Sequence, residues 1–446
     1  MAFHASRSGQ RAEAGRLYLD LAGRASARHA YLDAELLFRD ALGNLPEEET
    51  ARRITAAQGL GMMRFRLGRY SDSLKDMSAA LELSRKVDAK AAQIEILLDE
   101  AVVADWAMDW PRSRARAEEA DALVAREASL GTPSVESRLV LARGRTALRR
   151  DRFLEAAGHF KRAVALAEKL GDGGYEAHTL GLSLLSWCEA TLGHHAEAEE
   201  AISQALRLFE EHGDVIGSLS GLQNRCSLWL MTNQMDKMIA DYLRIIQVSR
   251  EFGFVMSECM AVKDLGEIYF ILGRDDEALP HARRGIEMYR QILGDGASRV
   301  YNAELLLARI FCHQGDVAGA AEIVRRLIVA QAEAVAAGRG DAILSDIERA
   351  VLDAMELGLG EGNDAGFDKL VEKGRALLMQ PQDVVEIMEW KALAALREGR
   401  QADGVRYLED ALGEAESKAQ LAADRVKRQL AATGAAAKTS RAAGGA

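Results

Sequence analysis

A turn signature recurs along this chain every 39 to 42 residues, and this spacing limits the possible fold more than any other feature. Each signature begins with a residue suited to a helix break, followed by a mostly small residue five positions later and a usually larger one after nine. The breaks are His29, Gly68, Asp109, Asp151, Gly193, Asn233, Gly273, Gly315 and Gly399. The last interval of 84 residues is twice 42, which places a further break near Gly358. A fixed period of this size predicts a solenoid.

The segment around Gly68 shows how one repeat would fold. Apolar residues before and after this glycine follow the i, i+3, i+4 spacing of an amphipathic helix. Gly68 can adopt a positive φ and end the first helix. Small residues at Gly61, Ser73 and Ala80 would let the two helices approach closely. A single hairpin cannot bury its own apolar stripe, so stacking of neighbours must stabilise it.

The composition supports helix and excludes several kinds of protein. Only five of the 446 residues are proline, and 48% are hydrophobic. The formal net charge of −11 makes nucleic acid an unfavourable partner. The four cysteines contain no CxxC pair, so we expect buried thiols in a reducing compartment. The sequence has neither a signal-peptide core nor an apolar run of membrane-spanning length.

The same positions resemble the tetratricopeptide repeat. The best matches are His29-Ala30-Tyr31 with Ala34 and Phe38, the Gly68 repeat, Asp151-Arg152-Phe153 with Ala156 and Phe160, and Leu265-Gly266 with Tyr269, Gly273 and Ala278. The usual period of about 34 residues is exceeded here by about one helical turn per helix. Such long repeats are similar to the helical arms of bacterial signal-transduction ATPases and maltose-regulator-like activators. The resemblance implies an all-α, right-handed superhelix of about ten antiparallel helix pairs.

We expect the array to span residues 1–430 and residues 431–446 to be a disordered tail. The repeat at about 337–378 is the least regular, because it contains two glycine-rich breaks. The start of the chain, around Ala14 and Tyr18, resembles the second half of a repeat, as in an arm cut from a larger protein. Alternatively, residues 1–28 form a terminal cap.

The sequence contains no motif that indicates an enzyme. It has no GxxxxGK[ST] phosphate loop and no HExxH pair. Residues 360–365 fit GxGxxA, but a predicted helix rather than a strand precedes them. His194 and His195 have no acidic or thiol partner at metal-ligand spacing. We therefore expect no catalytic residues, no metal and no cofactor.

In tetratricopeptide arrays the first helix of each pair lines a concave groove. Transferring those positions to this sequence gives Phe65, Arg66, Trp106, Arg138, Arg145, Arg149, Trp187, Gln223, Asn224, Lys263, Glu267 and Arg309 as candidate contacts with a peptide or partner protein.

Three arginines among these candidates share one helix face. Arg138, Arg145 and Arg149 are spaced i, i+7 and i+11, and a guanidinium suits a carboxylate or phosphate. They would bind an acidic peptide or a C-terminal carboxylate. The alternative is a solvated face, or pairing with local acids such as Glu136 or Glu155.

The amides and tryptophans also allow two interpretations. Gln223 and Asn224 could pair with a ligand backbone, or could form ordinary polar helix surface. Trp106 and Trp187 could be groove anchors, or could pack inside the array.

These observations predict a non-enzymatic interaction module that is bacterial and cytoplasmic, with a protein or peptide ligand of acidic character. Self-association is a further expectation, whereas nucleic acid and membrane partners are not expected. The alternative is a ligand-sensing arm of a larger signalling ATPase, kinase or transcription regulator. Replacing Arg145 and Arg149 with glutamate, or Asn224 with alanine, should weaken partner binding with little change in melting temperature.

Overall fold

The computed structural model describes residues 10–337, 344–360, 363–377 and 381–443. These residues form 21 α-helices and two short 3-10 helices, and they contain no β-strand. The chain divides into two compact units, Met1–Gln234 and Met235–Ala446. No helix in the described part of the chain is long and apolar enough to cross a bilayer.

The first unit contains eleven α-helices in the described residues. They are α1 Arg11–Ser26, α2 Tyr31–Asn44, α3 Thr50–Arg66, α4 Tyr70–Lys86, α5 Lys90–Trp106, α6 Trp110–Arg126, α7 Pro133–Leu148, α8 Phe153–Glu168, α9 Tyr175–Thr191, α10 His195–Glu211 and α11 Val215–Met231. Odd-numbered helices are the first helices of successive pairs. α1 pairs with α2, so Ala14 and Tyr18 belong to the first helix of a pair and not, as the sequence predicts, to the second half of a repeat.

The second unit contains the remaining ten α-helices of the described residues. They are α12 Met235–Glu251, α13 Val255–Ile271, α14 Asp275–Leu293, α15 Ser298–His313, α16 Val317–Ala336, α17 Asp346–Leu359, α18 Asp364–Ala376, α19 Pro381–Arg397, α20 Gln401–Lys418 and α21 Gln420–Ala443. The least regular repeat corresponds to α17 and α18, which have 14 and 13 residues. Its first glycine-rich break, 338–340, lies outside the described residues.

The last helix continues past residue 430, where the sequence predicts that order ends. It reaches Ala443, and the segment it adds is rich in alanine, the best helix former. Residues 444–446 lie outside the described residues. Near its start, α21 lies against α19 and α20, and Arg428 Nη2 donates a hydrogen bond to the Leu272 carbonyl at 3.0 Å.

Backbone conformation confirms the predicted breaks at most positions. Gly68 and Gly193 have φ values of 75° and 82°, in the left-handed region that glycine adopts without strain. The break predicted at Asp109 falls one residue earlier, at Met108, whose φ is 60°. Asp109 instead caps α6, because its Oδ1 accepts a hydrogen bond from the Arg112 backbone N–H at 3.2 Å.

Small residues bring the paired helices together, as the sequence predicts. Ser73 Oγ donates to the Gly61 carbonyl at 2.7 Å, across the α3/α4 pair. In the α7/α8 pair, a Cβ added to Gly144 would lie 2.5 Å from the ring of Phe160, a residue that is fully buried. Any larger residue at Gly144 would therefore push the two helices apart.

The first unit curves far enough for its two ends to touch. The turn between α1 and α2 meets the starts of α9 and α11 in a buried polar cluster of His29, Tyr31, Tyr175 and Asp214. Tyr175 Oη donates to Asp214 Oδ2 at 3.0 Å, and His29 Nδ1 lies 2.7 Å from Tyr31 Oη and 3.7 Å from Asp214 Oδ2. Asp214 also caps α11 through the Gly217 N–H at 2.9 Å.

We expect Asp214→Ala to lower the free energy of unfolding by about 2–4 kcal/mol, because it removes a cap and leaves the buried Tyr175 hydroxyl unpaired. The matched control is Asp109→Ala in the same unit, which loses a cap alone and should cost about 1 kcal/mol. Urea unfolding measures both variants. Equal losses in the two variants would show that the cluster does not stabilise the closure.

Candidate functional site

The candidate surface begins with the three arginines of α7 and the acids of α5. Arg149 donates to both Asp105 oxygens, from Nε at 3.0 Å and from Nη2 at 2.9 Å. Arg138 pairs with Glu95 and Asp99. Two of the three arginines that the sequence predicts to bind an anion are thus paired with carboxylates of α5, the preceding first helix. The local acids that the sequence offered as alternatives are not their partners.

Arg145 differs from both neighbours. It is only 3% exposed, and its nearest carboxylate oxygen, Asp105 Oδ2, lies 3.9 Å from its Nε. Its Nε and Nη1 have no hydrogen-bond partner among the described residues. Burial lowers the pKa of Arg145 to about 10, against the opposing effect of Asp105. The side chain is therefore still a cation at neutral pH.

Burial of Arg145 changes what its replacement would test. Glutamate there would place a second carboxylate beside the buried Asp105 and would destabilise the fold. The sequence-based expectation of an unchanged melting temperature in the Arg145/Arg149 variant is therefore not supported by the structure.

Phe65 and Arg66 belong to the closure of the first unit. The Arg66 guanidinium lies 5.8 Å from the ring centroids of Tyr31 and Phe65 and forms an ion pair with Glu176 of α9. Arg66 therefore joins the second repeat to the first and the fifth, and Phe65 contacts Arg66 and Tyr70 within the second repeat.

The tryptophans and amides of the first unit remain accessible. Trp106 and Trp187 are 47% and 51% exposed, whereas Trp229 is 3% exposed. Gln223 and Asn224 are exposed on α11, and neither side chain has a hydrogen-bond partner among the described residues. The structure thus leaves four of the predicted contacts available on the first helices α5, α9 and α11.

The predicted contacts in the second unit are part of an internal ion network. Arg309 of α15 forms a two-pronged ion pair with Glu386 of α19, and its Nε donates to Glu386 Oε1 at 2.8 Å. Arg309 Nη1 lies 3.8 Å from Glu267 Oε1, and Lys263 Nζ lies 2.5 Å from Glu267 Oε2. Lys263, Glu267 and Arg309 are thus tied to one another or to α19.

Charges near Arg309 shift the pKa of two carboxyls in opposite directions. Burial alone would raise the pKa of Glu386, but the attraction of Arg309 and its hydrogen bonds lower it to about 2. Burial raises the pKa of Asp383 to about 6, which Arg309, 3.7 Å away, only partly offsets. Asp383 therefore titrates in a mildly acidic range.

No family model and no curated protein matches this chain. Among solved structures, the apo form of RapI matches with a TM-score of 0.59 and 11% identity, over 84% of this chain and 98% of RapI. Aspartyl phosphate phosphatase F from Bacillus subtilis matches with 0.54 and 13%, over 81% and 93%. The apo quorum sensor NprR from B. thuringiensis matches with 0.52 and 11%, over 78% and 97%.

The chain has a tetratricopeptide-like helical-repeat fold. At such low identities, these likenesses establish the fold alone. In the tetratricopeptide-like array, the first-helix residues do not form one uniform surface. The candidate first-helix residues of the second unit form internal ion pairs. Those of the first unit include both paired and accessible side chains.

We expect Arg309→Met to destabilise the tetratricopeptide-like array by about 3–5 kcal/mol, because it leaves the buried Glu386 without its ion-pair partner. The double variant Arg309→Met/Glu386→Gln should recover much of that loss, since it removes both charges. Urea unfolding of the single and double variants makes the comparison. A double variant no more stable than Arg309→Met would contradict the ion-pair assignment.

Asp383→Asn should change how stability depends on pH. The folded pKa of about 6 lies above the ordinary value of 3.8, so ionisation costs the folded state more than the unfolded chain. The protonated Asp383 carboxyl thus favours the folded state, and wild type should lose that contribution to its free energy of unfolding as pH rises from about 4 to about 6. The variant has no carboxyl there and should show no such loss. The free energy of unfolding would be measured for both proteins at pH 4, 5, 6 and 7. The difference between them should grow in favour of the variant as the pH rises.

Proposed function

We propose that this chain is a non-enzymatic interaction module that holds a peptide or partner protein against the first helices of its first unit. The observation that carries the proposal is the exposure of Trp106 and Trp187. Trp229 and Trp390 are both 3% exposed, whereas Trp110, on the second helix α6, is 47% exposed and its ring lies against the Arg149 guanidinium. Half-exposed tryptophans at first-helix positions are typical of anchors that become buried on binding.

The free amides of α11 extend this surface. Gln223 and Asn224 each offer a donor and an acceptor, which matches the N–H and C=O groups of a peptide backbone. Both residues lie on a helix, so the helical scaffold limits their motion before a ligand arrives. Preorganised polar groups of this kind reduce the entropy cost of binding.

The structural neighbours are compatible with a peptide ligand. One is described as a quorum sensor, and another match, with a TM-score of 0.50 and 14% identity over 85% of this chain, is a Rap protein complexed with competence and sporulation factor. A third is named a phosphatase. Absence of catalysis, a cytoplasmic location and self-association remain parts of the proposal for this chain.

The acidic character of the ligand now has less support than the sequence suggested, because Arg138 and Arg149 already have carboxylate partners. The alternative function, a ligand-sensing arm of a larger signalling ATPase, kinase or transcription regulator, would use the same surface. It remains a prediction.

We expect Trp106→Ala/Trp187→Ala to weaken partner binding at least about tenfold, in line with the loss of aromatic hot spots. Partners would be identified by capture from a lysate of the native cell, and each would then be titrated with purified protein. Leu154→Ala is the matched control, because Leu154 is a large exposed apolar residue on the second helix α8. An identified partner that binds the tryptophan variant as tightly as wild type would overturn this surface assignment.

A further inference from the structure

A cavity of about 210 Å³ lies where the end of α5, the start of α6 and the last turn of α7 meet. All three helices belong to the first unit. The side chains that matter for its chemistry are Arg114, Arg145, Arg149, Arg150, Asp105 and Trp110.

The cavity is strongly cationic in a chain whose net charge is −11. Four arginines line it, and Asp105 is the single acid among the lining residues. Arg149 occupies both oxygens of Asp105. The Arg150 side chain has no hydrogen-bond or ion-pair partner among the described residues, and the Arg114 side chain there pairs with Glu118, at 3.8 Å. The lining therefore carries an excess of positive charge.

Arg145 supplies an independent sign that a ligand is missing. Its guanidinium is almost fully buried, with Nε and Nη1 unpartnered, while it lines the cavity. Buried polar groups in folded proteins nearly always have a hydrogen-bond partner, whereas the Asp105 carboxylate, 3.9 Å from Arg145 Nε, lies beyond hydrogen-bond distance. A carboxylate or phosphate in the cavity would provide the acceptors that this side chain lacks.

The walls of the cavity restrict how such a group could sit. The Arg149 guanidinium lies 5.4 Å from the Trp110 ring centroid, so the aromatic face and Asp105 together fix its orientation. Asp105 would repel an anion close to it. Because Asp105 Oδ2 lies 3.9 Å from Arg145 Nε, an anion is better placed against Arg145 Nη1 and Arg150, with the Trp110 ring available to an apolar neighbour of the anionic group.

We propose that this cavity is an oxyanion-binding site for a carboxylate or phosphate group, with Arg145 as its buried ligand and Arg150 as its exposed one. The site uses none of the four accessible residues on which the proposed function rests. Either proposal can therefore fail without the other.

The test compares wild type with Arg145→Met and Arg150→Ala. Arg145→Met retains much of the buried volume, and Asp105 keeps its two hydrogen bonds from Arg149, so the variant should fold. Arg150→Ala removes an exposed side chain without a partner, so it should not disturb folding. It therefore tests the site even if Arg145→Met fails to fold. Arg162→Ala is the matched control, because Arg162 is an exposed arginine on α8 whose ion-pair partner is Glu136.

Each protein would be titrated with sodium phosphate and with sodium acetate at constant ionic strength, by calorimetry and by thermal shift. Wild type and Arg162→Ala should bind at least one anion, and Arg145→Met should weaken that binding at least about tenfold, as expected when a charged ligand contact is lost. Arg150→Ala should weaken it by a smaller factor.

The two anions distinguish the sources of the group. Binding of phosphate but not acetate would support the site and indicate a phosphorylated ligand, and the reverse would support it and indicate a carboxylate. No binding of either anion to wild type would overturn the proposal. Equal binding by wild type and both cavity variants would overturn it as well.

Discussion

The close approach of paired helices is the constraint on which the rest of this structure depends. Gly144 faces the Phe160 ring with no room for a Cβ, and Ser73 reaches the Gly61 backbone directly. Helices this close bury their apolar stripes against each other and against the next pair, which no isolated hairpin could do. The left-handed residue at most breaks, such as Gly68, makes the tight reversal possible.

Once the helices are stacked, the first helix of one pair faces the first helix of the next, and polar residues there must satisfy one another. Gln58 Nε2 donates to Asp99 Oδ2 at 2.7 Å, and Asp99 also pairs with Arg138. These contacts connect α3, α5 and α7. The arginine-rich segment of α7 is therefore mainly a structural tie between repeats, and Arg145 is its exception.

The sequence was sufficient for the fold because a repeat displays its period, its breaks and its small residues directly. It misplaced a break at Asp109, since a capping aspartate and a left-handed residue both mark helix ends. It identified the first-helix positions that include Arg138 and Arg149, but it did not identify the acids that pair with these arginines. Those acids lie 39 and 44 residues upstream, about one repeat away. An acid one period before each arginine was the available signal, because residues one repeat apart occupy adjacent positions on neighbouring helices.

Side chains at comparable first-helix positions have different roles in the two units. In the second unit, Arg309 and Arg425 are buried, and each has a carboxylate on α19, Glu386 or Glu389, that meets its guanidinium with two oxygens. In the first unit, Arg145 has no such partner, and Trp106 and Trp187 remain half exposed. Pairing every buried charge stabilises an array but leaves nothing for a ligand to satisfy. Binding capacity in this chain is therefore expected where the pairing is incomplete, in the first unit.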